Sequence, residues 1–212
     1  MRSQRWLEEL DMRLADQFRF LVAADALKGV RRGTRICDGS RHENSAEHSW
    51  HLALFALVLQ EWAATPVSID RVVRMLVLHD LIEAECGDTP LYDQAAAVGQ
   101  AAREREAADR IFGLLPDDQG DGLRALWEEF EAADSADARF AKALDRLQPV
   151  LLNHAVGGGT WTDYDWDAGR ERQVMGGIAD GAPALWQAVE AVLTDAVAQG
   201  WLKPAGSTKR GC

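Results

Sequence analysis

Val72-Val73-Arg74-Met75-Leu76-Val77-Leu78-His79-Asp80-Leu81-Ile82-Glu83-Ala84-Glu85-Cys86-Gly87-Asp88-Thr89 is the stretch that decides the fold. Its apolar residues Val72, Met75, Leu76, Ile82 and Cys86 recur at helical spacing, and His79 falls on the same stripe. The pattern predicts a helix that Ser68 can cap and Gly87 closes. Acidic groups crowd that histidine at Asp80, Glu83 and Asp88. Asp80 lies about 100° round from His79 on a regular helix, so the two meet at one centre only near a cleft. Glu83, one turn on, stands over the His79 face. Ionisable groups gathered at the buried edge of a helix are costly unless a cation balances them.

Helical spacing continues on both sides. Residues 6–29 form one amphipathic helix by pattern, with Trp6, Leu7, Leu10, Leu14, Phe18, Leu21, Val22 and Leu27 as its stripe and Gly29 as its stop. Residues 30–44 read as a polar, basic connection. Asn44 or Ser45 can cap the next helix, with Glu47 in its first turn, and His48, His51, Leu52, Phe55, Val58 and Leu59 follow on one face as far as Trp62. Thr65-Pro66 breaks the chain. After a loop at 88–95, helices are expected at about 97–115, 121–134 and 136–155, then near 169–180 and 183–200. Pro149 removes a donor and clashes with the carbonyl four residues back, which predicts a bend at Asp145. Gly157-Gly158-Gly159 opens a loop carrying Trp161, Tyr164 and Trp166. No segment alternates with period two. The expectation is an all-α bundle of about seven to nine helices, one domain over 1–202, with a flexible tail at 203–212.

Composition narrows the function classes. The 212 residues are 47% hydrophobic with eight tryptophans, enough for a packed core. A net charge of −11 opposes non-specific binding to nucleic acid or anionic lipid, so an anionic substrate needs a local basic patch or a metal. Cys37, Cys86 and Cys212 are odd in number without CxxC spacing, which favours reduced thiols. No apolar run nears the roughly 18 residues of a membrane span, and the charged N-terminus lacks a signal-peptide core. A cytoplasmic protein is expected.

There are five histidines, and two of them, His48 and His79, fall on the apolar faces of consecutive helices. A lone histidine on such a face is more often a hydrogen-bonded core residue than a ligand. An aspartate beside His79 weakens that reading, because it also needs a partner. Two inward histidines with an adjacent carboxylate suggest a metal centre, and the mixed nitrogen and oxygen set suits Mn, Fe, Co or Ni over Zn or Mg.

These residues resemble a known family. Ser40-Arg41-His42-Glu43-Asn44-Ser45-Ala46-Glu47-His48-Ser49-Trp50, the doublet His79-Asp80 with Glu83 and Gly87-Asp88-Thr89, and Lys142-Ala143-Leu144-Asp145 are together similar to the HD-domain metal-dependent phosphohydrolases. Within them the chain resembles the 5′-deoxynucleotidase branch, over about residues 20–155. The resemblance implies His48, His79, Asp80 and Asp145 as ligands of one divalent ion, leaving room for water and a phosphate oxygen. It implies Glu83 as the group that orients or deprotonates that water, and Asp88 as the proton donor to the departing ribose oxygen or a substrate contact. Structural alternatives stand beside these roles: Glu83 as an acceptor for a ligand histidine, Asp88 as a turn or cap residue, Asp145 as a solvent-facing aspartate.

Arg32 follows Leu27-Lys28 as a substrate arginine does in that branch, although the branch places a tryptophan next, where this chain has Gly33. Arg35, Arg41 and Thr89 are further substrate candidates, Arg41 being equally able to pair with Glu43 or Glu47. Binuclear phosphodiesterases of the superfamily use further histidines between the doublet and the last aspartate, and none occurs here between His79 and His154. A mononuclear phosphomonoesterase acting on a small nucleotide or phosphate ester is therefore expected. The alternatives are a hydrolase of another phosphorylated metabolite and a nucleotide-binding module without turnover. By the same resemblance the chain is expected to form a homodimer.

Overall fold

Asp11 ends the first amphipathic stretch early. In the computed structural model, which describes residues 5–87 and 99–207, the side chain of Asp11 accepts from the amides of Arg13 and Leu14 and starts a new helix, α1 (Met12–Ala24). The single helix expected over 6–29 is thus a 3-10 turn at Arg5–Glu9, α1, and a second 3-10 turn at Asp25–Gly29. Its buried face is also rotated from the expected one: Ala15 and Phe20 are inside, whereas Leu14, Leu21 and Val22 are exposed.

The basic connection is a hairpin rather than an irregular loop. Strand β1 (Arg31–Arg35) pairs antiparallel with β2 (His42–Asn44), Arg31 opposite Asn44 and Arg35 opposite His42, with an irregular register between. Among the described residues, this two-stranded sheet is the departure from an all-helical chain. Asn44 then caps α2 (Ser45–Leu59) through a reciprocal capping box with Glu47, which satisfies two otherwise unpaired donors.

The remaining helices are α3 (Ile69–Leu78), α4 (Glu83–Cys86), α5 (Gln100–Phe112), α6 (Asp117–Ala132), α7 (Ala136–Ala155), α8 (Thr160–Asp163), α9 (Ala168–Met175), α10 (Ile178–Gly181) and α11 (Pro183–Ala198). Eight of the eleven have eight residues or more among the described residues, within the expected number. The long α7 runs continuously through Pro149. Helix α10 crosses it so closely that a Cβ on Gly181 would lie 2.2 Å from the carbonyl oxygen of Arg139, so only glycine fits there.

Two apolar clusters form the interior. One joins α2, α3, α7 and the C-terminal helices through Leu52, Met75, Leu76, Leu144, Met175 and Leu193. The other gathers Phe20, Leu78, Ile82, Ile111 and Trp127 beneath the N-terminal segment, α5 and α6. Helix α3 contributes to both, so its C-terminus emerges where they meet. Trp161 and Trp166 are buried in the first cluster, and Tyr164 is exposed. The two tryptophans are core plugs. The segment after α11 is anchored at Lys203, whose carbonyl accepts from the amide of Ala168. Among the described residues, no helix is long and apolar enough to cross a membrane.

Candidate functional site

The stripe of α3 buries Val72, Met75 and Leu76 completely and leads directly to His79. There the hydrogen-bond pattern changes. The amide of His79 still bonds four residues back, to Met75, but those of Leu81, Glu83 and Ala84 bond three back, to Leu78, Asp80 and Leu81. The winding tightens to 3-10 type for a turn before α4 begins, and Gly87 ends it at φ 77°. His79 is therefore the cap of α3 rather than a mid-helix residue, and Asp80 and Glu83 occupy the tightened turn.

His48 enters from the first turn of α2 and Asp145 from the middle of α7. His48 Nε2 lies 3.0 Å from Asp145 Oδ1, and His79 Nε2 lies 3.6 Å from the same oxygen. Ligand atoms of His48, His79 and Asp145 all fall within 4.8 Å of one another. Asp80 adjoins them, its Oδ1 3.0 Å from His79 Nε2. Both imidazoles are buried, whereas the Asp145 side chain keeps 25% of its surface, so the cluster opens at that edge.

The chemistry of this cluster calls for a cation. His79 Nδ1 faces the carbonyl of Leu76 at 2.8 Å and must donate to it, which leaves Nε2 as a bare lone pair. That nitrogen is buried with no hydrogen-bond partner and is aimed among carboxylate oxygens. A proton or a metal ion has to stand between them. Burial works against the His79 imidazolium, but the charges of Asp80 and Asp145 outweigh it and raise its pKa to about 9. Burial likewise opposes ionisation of Asp145, yet the hydrogen bond from His48 and the charge of neighbouring His79 hold its carboxyl well below the usual range. Nitrogen and carboxylate donors in this arrangement suit a divalent ion.

A second layer fixes the first. His48 Nδ1 faces Gln148 Oε1 at 3.2 Å, and Gln148 Nε2 donates to Glu43 Oε2 at 2.9 Å. The hydroxyl of Thr34 donates to the other oxygen of Glu43. Burial disfavours a charged Glu43, but neighbouring His48 and these donors keep its pKa below the ordinary value. Ser45 Oγ donates to Glu83 Oε2 at 2.7 Å and ties the start of α2 to the start of α4.

The expected substrate arginines separate. Arg32 joins the site, its Nη1 2.6 Å from Asp80 Oδ2 and its Nε 3.8 Å from Glu43 Oε1. Arg41 instead grips Glu47 with two bonds of 2.7 and 2.8 Å. Arg35 lines a different cleft, and among the described residues no hydrogen bond or ion pair joins Arg35 or Arg41 to His48, His79, Asp80 or Asp145. Lys142 pairs with Glu131 and lies over the Phe130 ring. Asp88 and Thr89 lie outside the described residues.

The model of the HD domain matches residues 24–186. The chain belongs to the HD-domain family. Among HD-domain proteins it is 35% identical over 133 residues to the human 5′-deoxynucleotidase HDDC2, a match covering 62% of this chain and 64% of that protein. The chain thus spans somewhat less than two thirds of that relative's length. The mouse protein of the same name is 33% identical over 138 residues, 65% of this chain and 68% of that one. A solved structure from Magnetospirillum magnetotacticum MS-1, titled a predicted metal-dependent phosphohydrolase, is 46% identical and superposes with a TM-score of 0.86, covering 90% of this chain and 95% of that one.

Thr34, Glu43 and Gln148 are members of this HD-domain site that sequence reading did not assign to it, and Ser45 was read only as a helix cap. Gln148 had a usable signal, since it stands three residues after Asp145 on the same face of α7. Glu43 had only its place in a charged segment whose strand character was not visible.

Proposed function

We propose that this chain is a metal-dependent phosphomonoesterase that releases phosphate from nucleoside 5′-monophosphates. The observation that carries the reading is the convergence of His48, His79 and Asp145 on one partly open centre, with Asp80 and Glu83 on the adjoining turn. The names of the relatives support the substrate class. His48, His79, Asp80 and Asp145 would hold one divalent ion, of the Mn, Co, Fe or Ni kind that mixed imidazole and carboxylate sets favour. When bound, such an ion supplies positive charge to phosphoryl oxygens and acidifies water.

The chain's own groups then have distinct tasks. Glu83, held by Ser45, orients the attacking water and receives its proton. Arg32, the guanidinium beside Asp80, offers a second positive group to the phosphate. Asp88 is the candidate to protonate the departing ribose oxygen. Gly33 offers the sugar no ring, and Thr160 Cγ2 stands 3.3 Å from where a Cβ of residue 33 would lie. Ribose and 2′-deoxyribose monophosphates are therefore expected to turn over at similar rates. Phosphate release from a panel of both, with Mn, Co or Mg supplied, tests the proposal. No release from any monophosphate would overturn it.

A further inference from the structure

The hairpin has two faces, and the mechanism uses one. Arg32, Thr34 and Glu43 turn inward, linked to one another and to Asp80. Arg31 and Arg35, at alternate positions of β1, line a separate cleft with Lys28, Arg41, His42 and Asn44, about 510 Å³ in volume. None of the proposed metal ligands, nor Arg32, borders it. The lining holds four cationic side chains and no carboxylate, in a protein of net charge −11. Two of the four are already paired, Lys28 with Asp25 and Arg41 with Glu47. Arg31 and Arg35 have no ion-pair partner among the described residues.

We infer that this cleft binds a phosphorylated small molecule carrying at least two negative charges, at a site distinct from the catalytic one. The volume falls in the range of small-molecule sites, which suits a compound of nucleotide size. Guanidinium forks match phosphate oxygens geometrically, and a bound anion relieves the mutual repulsion of cations held on one short strand. An acidic chain otherwise repels anions, so a cation-lined cleft localises them at one place. Its occupant would brace β1, the strand that carries Arg32 to Asp80.

Inorganic tripolyphosphate is the probe, titrated calorimetrically at low ionic strength into the metal-loaded wild type and Arg31→Ser/Arg35→Ser, and into Asp145→Asn. Both arginines are at the surface edge of a hairpin, and an unchanged thermal midpoint verifies that the double variant is folded. The cleft site is expected in the wild type, to persist in Asp145→Asn, and to weaken about tenfold or more in the double variant. Wild-type affinity in the double variant, or loss of all binding in Asp145→Asn, overturns the inference. Because the readout is binding, its failure is distinct from failure of the phosphatase assay.

Discussion

Arg32 reaches from the hairpin to Asp80 across 48 residues of chain and bonds its Oδ2 at 2.6 Å. The guanidinium both orients a proposed ligand and stands ready for phosphate. Arg32→Ala should lower kcat/KM for a nucleoside 5′-monophosphate by about 10- to 100-fold, the worth of one charge-assisted hydrogen bond. Metal content should stay near one ion per chain. Steady-state kinetics beside elemental analysis separates the two; unchanged kcat/KM removes Arg32 from substrate binding.

Gln148 sets the tautomer of His48. With its carbonyl oxygen accepting from Nδ1, the imidazole presents Nε2 to the cluster. Gln148→Leu should weaken metal affinity by about 10- to 100-fold, as removal of outer-layer partners generally does. Competition against a chelator measures this, and a wild-type binding curve would show that the bond is incidental.

Glu83→Gln should retain the metal and lose about 10²- to 10⁴-fold in kcat, because a neutral amide accepts no proton. Ser45→Ala, which removes one hydrogen bond from Glu83 without discharging it, should cost about tenfold. If Glu83→Gln turned over like the wild type, the carboxylate would be reduced to a packing role beside His79.

Acidity offers an independent check. His79 in the metal-free site has its pKa raised from 6.5 to about 9, so the folded state holds a proton that the unfolded chain releases earlier. That stabilisation is complete below about pH 6.5 and disappears as the pH rises through 9. Chelator-treated protein should therefore lose thermal stability across this window. Metal-loaded protein, where the ion takes the proton's place, should not. Calorimetric midpoints at several pH values decide it; parallel curves with and without metal would contradict the arrangement.

The helical architecture was legible because burial and periodicity agree wherever a helix has one apolar stripe, as at Val72, Met75, Leu76 and His79. It was misread where a helix offers two. On α1, Leu14, Leu21 and Val22 satisfy the same spacing rule as the residues that are buried, and only Asp11 as a cap and the contacts of Phe20 choose between them. The hairpin was invisible because arginines occupy both faces of β1, so no alternation of polarity marks the pleat. His79 and Asp80 announced themselves as costly neighbours. Asp145 came through family resemblance, and Glu43 with Gln148 needed the fold, since their bond spans 105 residues.

The tightened turn after His79 makes the spacing of this motif a matter of counting. The amides of Leu81, Glu83 and Ala84 bond to the third residue back, so each side chain's heading depends on how many residues precede it. One inserted residue would swing Glu83 by about 100° to 120° and carry it away from Ser45. In the connection between α2 and α3, the exposed Thr65 and Pro66 lie between two anchored amides, Ala64 bonded to Gly181 and Ser68 to Asp137. Length variation in descendants of this chain should accumulate there and spare the residues from His79 to Glu83.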